Sequence, residues 1–243
     1  MIPIEISGPE FVIATSAVFI GSALQGAVGF GFALVAAPVL FLVDPMWVPG
    51  PIIFSALVLT SLTAIRERDA IDYRGLCWGL AGRLPGTFAG AAFVSAISPE
   101  QLATPLGLLV LLAVAISVST VRFEPGPRTL FGAGVLSGFM GTTSSIGGPP
   151  MALVYQHGPG DRLRATLGAY FVAGAVMSLA ALAVVGRFGP TEAWLGAALV
   201  PGIVLGFTVS NRLKGLVDRG YTRPAVLAVA VAAGLGVIIR QLW

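Results

Sequence analysis

Arg83 lies well inside an apolar stretch, whereas all eleven Asp and Glu residues fall in termini, loops or the ends of apolar runs. It stands nine residues beyond Arg74, which is about 13 Å along a helix. A guanidinium is a planar fork of N–H donors matched to two oxygens of one oxyanion, and a charge inside a membrane marks a ligand path or a partner. The competing reading is a side chain that snorkels to the headgroups. A run of four hydroxyls, Thr142-Thr143-Ser144-Ser145, interrupts a second apolar stretch. A half-helix beginning there would turn free N–H groups and its positive dipole end toward an anion; otherwise the hydroxyls bond back to helix carbonyls. Gln25 holds a comparable place earlier in the chain. The candidate substrate-binding set is Arg83, Gln25, Gly29, Gly31, Gly141, Thr142, Thr143, Ser144 and Ser145. His157, the single histidine, is the candidate for proton coupling, against the plainer reading of an interfacial side chain.

These residues sit in or beside a glycine-broken apolar segment that occurs twice. The first, about 11–43, contains Gln25-Gly26-Ala27-Val28-Gly29-Phe30-Gly31-Phe32 and closes at Pro38. The second, about 129–157, contains Gly138 to Gly141, the hydroxyl run, and Gly147-Gly148-Pro149-Pro150. A shift of 112 residues lays Gly26 on Gly138, Gly29 on Gly141 and Pro38 on Pro150. Paired interruptions at corresponding places in two halves point to a transporter binding site, because irregular backbone at membrane depth survives only where protein or a wet cavity satisfies it. Pro85-Gly86 with Gly90 is echoed by Pro201-Gly202 with Gly206 at an offset of 116. Gly26, Pro38, Pro85, Gly86, Gly138, Gly147, Gly148, Pro149, Pro150, Pro201 and Gly202 are the expected hinges or helix breaks. Close helix packing is the alternative reason for the glycines.

Fifty-six per cent of the 243 residues are hydrophobic and ten per cent are charged, against about a quarter charged in soluble domains. The expected fold is an all-α polytopic membrane protein forming one membrane domain over 1–243. Beside the broken segments, six stretches read as spanning helices of roughly 20 residues: about 47–65, 74–97, 101–121, 163–185, 191–210 and 222–243. If each broken segment crossed once, the thirteen basic residues in loops and at span ends would divide seven against six. If each enters and returns to the same side, eleven share one face and only Arg187 and Arg240 lie opposite, as the positive-inside rule prefers. That arrangement makes two inverted repeats, about 11–121 and 129–243, each a broken segment (re-entrant or of half-helices) plus three transmembrane helices, with both termini outside. No basic region precedes the first apolar stretch, so a cleavable signal peptide is not expected. Cys77 is the only cysteine, which excludes an internal disulfide.

The doubled set of Gly26 with Gly29 and Gly31, Pro38, Pro85-Gly86 with Gly90, Gly138 with Gly141, Pro149-Pro150, and Pro201-Gly202 with Gly206 resembles the TauE/SafE family of sulfite exporters or sulfonate permeases. The likeness runs from about residue 11 to 240. It implies a multi-pass inner-membrane transporter of a small anion, of sulfite or sulfoacetate type. Two departures stand out: hydroxyls in place of a glycine run after Gly141, and Phe30 and Phe32 between the glycines of the first half.

The leading expectation is therefore a small-anion transporter working by alternating access around the two broken segments, with an anion channel or a non-transporting assembly partner as alternatives. The chain lacks a His/Asp/Glu metal cluster and a nucleophile–base pair, so an enzyme is not expected, and neither a metal nor a cofactor is called for. The expected partners are the lipid bilayer and the anion, with a second copy of the chain left open; nucleic acid is not among them, because the basic residues lie between apolar spans.

Overall fold

A computed structural model describes residues 7–217 and 222–242; Arg219 of the charge count lies outside them, and the side chains of Lys214, Arg223 and Arg240 are likewise not described. Among the described residues all regular structure is helical. The order is α1 (Gly8–Val28), α2 (Phe32–Val43), α3 (Gly50–Arg66), α4 (Tyr73–Ser95), α5 (Ala103–Val118), α6 (Pro127–Ser144), α7 (Gly148–Tyr155), α8 (Gly160–Val184), α9 (Pro190–Ala198), α10 (Val200–Val217) and α11 (Thr222–Leu242). Ser7 and Glu10 start α1 with a reciprocal capping box, each side chain bonded to the other's backbone N–H; this satisfies donors that the first turn would otherwise leave free.

Three stretches are long and apolar enough to cross a membrane alone: Gly8–Val28, Glu100–Val118 and Gly160–Val184. The α9–α10 pair, bent by 42°, makes a fourth if taken as one span. The expected uninterrupted helix over 191–210 is thus two helices meeting at Leu199, next to Pro201. α3 is apolar but short, with 17 residues. α4 has the length, 23 residues, but five glycines and Arg83 dilute its hydrophobicity.

Both broken segments are helical hairpins. α1 ends at Val28 and α2 restarts at Phe32, whereas α6 ends at Ser144 and α7 restarts at Gly148. The breaks are therefore 116 residues apart, the spacing of the two Pro-Gly motifs, rather than the 112 at which the glycines match. The reason is that Gly26 and Gly138 lie inside helices, where they make room for neighbours, and do not mark the interruptions.

Small residues let α4 run tightly alongside α6. Gly82, Gly86 and Gly90 face the carbonyls of Phe131, Val135 and Phe139, so the two helices run parallel. α1 and α10 pair in the same way: Gly202 lies against Thr15, Gly206 against the Phe19 carbonyl and Gly26 against Ser210. Close backbone approach of this kind is the main source of helix association when lipid removes the hydrophobic drive. α3 packs on α8 and α5 on α11. The α6–α7 hairpin returns to the end where α6 began, because Tyr155 at the end of α7 bonds to Asp72, just ahead of α4. The α1–α2 hairpin lies the other way: α2 is followed by the Pro45–Trp47 turn, which packs on α3 and α9. Between the hairpins the buried core includes Leu34, Leu40, Trp47, Leu59, Leu106, Met140 and Ile146.

A Cβ added at Gly86 would run into the Val135 backbone, which cannot move aside, whereas one added at Gly132 of α6 meets nothing within 4 Å. Gly86→Ala is expected to cost about 1–3 kcal/mol through overpacking and to lower the melting temperature of the purified protein. Gly132→Ala leaves it unchanged.

Candidate functional site

The two breaks meet at an internal cavity of about 60 Å³, room for a few waters or a small anion. Gln25, Gly31 and Phe32 line it from the first hairpin, and Gly141, Ser145, Gly147 and Gly148 from the second. Arg83 of α4, Thr60 of α3 and Phe171 of α8 complete the wall.

Arg83 sits near the midpoint of α4 and is only 4% exposed. Its Nη1 donates a long bond of 3.4 Å to Ser137 Oγ, its Cζ lies 4.9 Å from the centre of the Tyr170 ring, and its Nε has no partner. No carboxylate lies within ion-pair distance of it among the described residues. The guanidinium occupies a slot that glycines leave open. A Cβ on Gly174 of α8 would collide with its Cζ and Nε, and one on Gly141 would stand 3.1 Å from Nη2. The side chain thus points into protein beside the cavity, away from the headgroups to which it would snorkel.

The breaks are built differently from the expectation. Thr142, Thr143 and Ser144 are the last residues of α6, at its carbonyl end, and do not start a half-helix. Ser144 bonds back to the Met140 carbonyl at 2.8 Å and Thr142 meets Ser178 Oγ at 2.8 Å, so these hydroxyls are spent within the protein and let α6 run on. Thr143 is fully buried beside Gly90, its Oγ1 without a partner. The chain turns at Ser145, whose φ of 66° is unusual for a residue with a side chain; its Oγ donates to the Pro49 carbonyl at 3.1 Å. α7 then starts at Gly148, with Gly147 as its N-cap and Pro149 and Pro150 in its first turn. The prolines bring no N–H, which leaves this helix start few donors for an anion.

In the first hairpin, Gly29 and Gly31 turn the chain with φ of 101° and 115°, values open to glycine at little cost. Gly29 packs against Leu163 and Arg164, outside the cavity wall. Gln25 Oε1 accepts from Phe32 N–H at 3.2 Å and so caps α2. Among the expected hinges, Pro38 lies inside α2 and Pro85 and Gly86 inside α4, all in continuous helix. Pro201 and Gly202 follow the bend at Leu199. His157 is exposed beyond α7 and does not line the cavity. Ser137, Tyr170, Gly174 and Thr60 belong to the site but carry no motif that would single them out.

One end of the bundle is tied by charge. Glu67 lies 3.3 Å from Arg66 and 3.4 Å from Arg164, and Asp72 lies 2.8 Å from Arg162. Arg66 also donates to the Gly26 carbonyl, Ser210 and Asn211 and stacks on Phe207. Burial pushes the Asp72 carboxyl up, but bonds from Gly75 N–H, Arg162 and the Tyr155 hydroxyl outweigh it and hold the group below its ordinary value.

Described residues whose regular structure is all helical, with three or four stretches long and apolar enough to cross a membrane around a cavity that holds a buried charge, fit a multi-pass membrane protein. The family model described as sulfite exporter TauE/SafE matches residues 13–237, and the chain belongs to that family of membrane transporters. No curated protein and no solved structure matches it.

Because the Asp72 carboxyl is held low in the folded protein, its bonds stabilise the fold above the unfolded value of about 3.9 and are lost as pH falls through the lower folded value. Asp72→Asn is expected to melt a few degrees below wild type at neutral pH. The gap closes as the pH is taken below the lowered folded value of the carboxyl, where wild type is protonated as well.

Proposed function

We propose that the protein carries a small sulfur oxyanion or organosulfonate across the cytoplasmic membrane by alternating access around the two broken segments, with Arg83 as the principal anion ligand. The observation that carries this reading is a buried guanidinium, with no carboxylate at ion-pair distance among the described residues, at the wall of a cavity that both breaks line. A charge in that position costs about 3 kcal/mol on insertion scales, and a bound oxyanion supplies both the countercharge and the acceptors that its donors lack. Gly31, Gly141 and Gly147 let backbone approach the same space, while Gln25 and Ser145 frame it.

Repeats over about 11–121 and 129–243, inverted relative to one another, give the carrier its two exchanging halves. The shared 116-residue spacing supports this, as does the pairing: α4 on α6 mirrors α10 on α1, while α3 packs on α8 and α5 on α11. The hairpins also open toward opposite ends of the bundle. Eleven basic residues then face the cytoplasm and both termini lie outside. The bends at Ser145–Gly147, Gly29–Gly31 and Leu199–Gly202 are where the halves hinge. The ion pairs of Glu67 and Asp72 join the first half to Arg164 and Arg162 of the second and act as the clasp that closes the cytoplasmic side.

In reconstituted liposomes, wild type is expected to show saturable counterflow of radiolabelled sulfite. Arg83→Gln lowers it at least tenfold, the loss of one or two charge-assisted bonds, and raises the melting temperature by removing an unneutralised buried charge. A fall in both transport and stability would make Arg83 a structural residue. Non-saturating flux without counterflow would make the protein a channel.

A further inference from the structure

A groove runs along the exposed side of α6 between α5 and α7, with a volume of about 310 Å³. It exists because α7 has only eight residues and starts with a proline pair, too short a cylinder to cover α6. Gly132 forms its floor, where an added Cβ would meet nothing within 4 Å. Leu136, Leu153 and Val154 make apolar walls, and the groove is polar only at the end where α6 starts, at Arg128 and Thr129. Arg128 and Leu136 are eight residues apart, about 12 Å of helix, close to the depth of one hydrocarbon leaflet.

We infer that this groove binds an anionic phospholipid, with an acyl chain lying over Gly132 and the phosphate at Arg128. Charge decides in favour of an anionic headgroup. Arg128 and Arg122 are both exposed at that end, with no carboxylate at ion-pair distance among the described residues. Glu124 of the same loop offsets one of the two charges, so the end stays net positive. A basic residue at the headgroup level attracts an anionic lipid by about 1 kcal/mol, and van der Waals packing of the acyl chain in the apolar trough supplies the rest. The bound chain backs α7, whose first residues, Gly148 and Pro149, line the central cavity, so lipid occupancy braces one wall of that cavity.

The test uses the full-length protein, stripped of lipid in detergent, and titrates phosphatidylglycerol and phosphatidylcholine of identical acyl chains, with inorganic phosphate as a third arm. Native mass spectrometry and thermal shift read the binding. Wild type is expected to bind and be stabilised by phosphatidylglycerol preferentially. Arg128→Gln weakens that binding about fivefold, the factor for one such charge, toward the phosphatidylcholine value. Gly132→Leu, which fills open space, abolishes the shift by either lipid while the lipid-free protein melts as wild type does. Equal binding of the two lipids by wild type would overturn the assignment, as would an equal shift from phosphate alone or undiminished binding by both variants. A lipid-independent dimer lost in Gly132→Leu would give the groove to a second copy of the chain instead.

Discussion

The rest of the structure turns on the Arg83 guanidinium, held at the middle of an apolar bundle beside a small cavity. Its surroundings give it one long hydrogen bond and the face of an aromatic ring. A cation over a ring gains about 2 kcal/mol or more when desolvated, less than the cost of taking an unpaired ion out of water. Arg66 shows how differently this fold can treat an arginine: although its Nε also lacks a hydrogen-bond partner, that side chain has a carboxylate beside it, a helix-terminal carbonyl, a hydroxyl and an amide as acceptors, and a ring. The contrast gives the two residues different work. Arg66 closes a joint between elements, whereas Arg83 is left with a single long hydrogen bond and no countercharge among the described residues; the proposed anion would supply both.

Holding that guanidinium in place constrains three helices at once. α4 must press on α6 closely enough for Ser137 to reach it, which demands glycine along their contact. α8 must present Gly174, because any side chain there would fill the slot. α6 must stop at Ser144, so that the chain can turn back and bring Gly147 across from Gly141. The unusual backbone at Ser145 belongs to this requirement. A residue in the left-handed region costs of order 1 kcal/mol and persists here with its hydroxyl tied to Pro49.

Much of this was legible in the sequence, and what was not has physical reasons. Composition alone indicates a membrane protein, and Arg83 stands out because charge is rare in an apolar run. The two interruptions are visible as glycine-rich breaks, and their doubling carries the family likeness. Their register was misjudged because glycine serves two purposes in membrane helices: Gly26 and Gly138 admit a neighbouring helix, while Gly29 and Gly31 turn the chain. The hydroxyl run left two readings open, the start of a half-helix or bonds back to helix carbonyls; the run closes α6, and Ser144 takes the second course. Ser137 and Tyr170 could not be paired with Arg83 in advance, being 54 and 87 residues away along the chain.

The central claim is that Arg83 binds the transported anion, and the most direct measurement is to look for that anion there. Selenite is the heavier analogue of sulfite, with an absorption edge suited to anomalous scattering. Crystals grown with it are expected to show a single strong anomalous peak between the Arg83 guanidinium and the Gly147 backbone, absent from Arg83→Gln crystals. Selenite bound elsewhere, with Arg83 unchanged and no density beside it, would contradict the account.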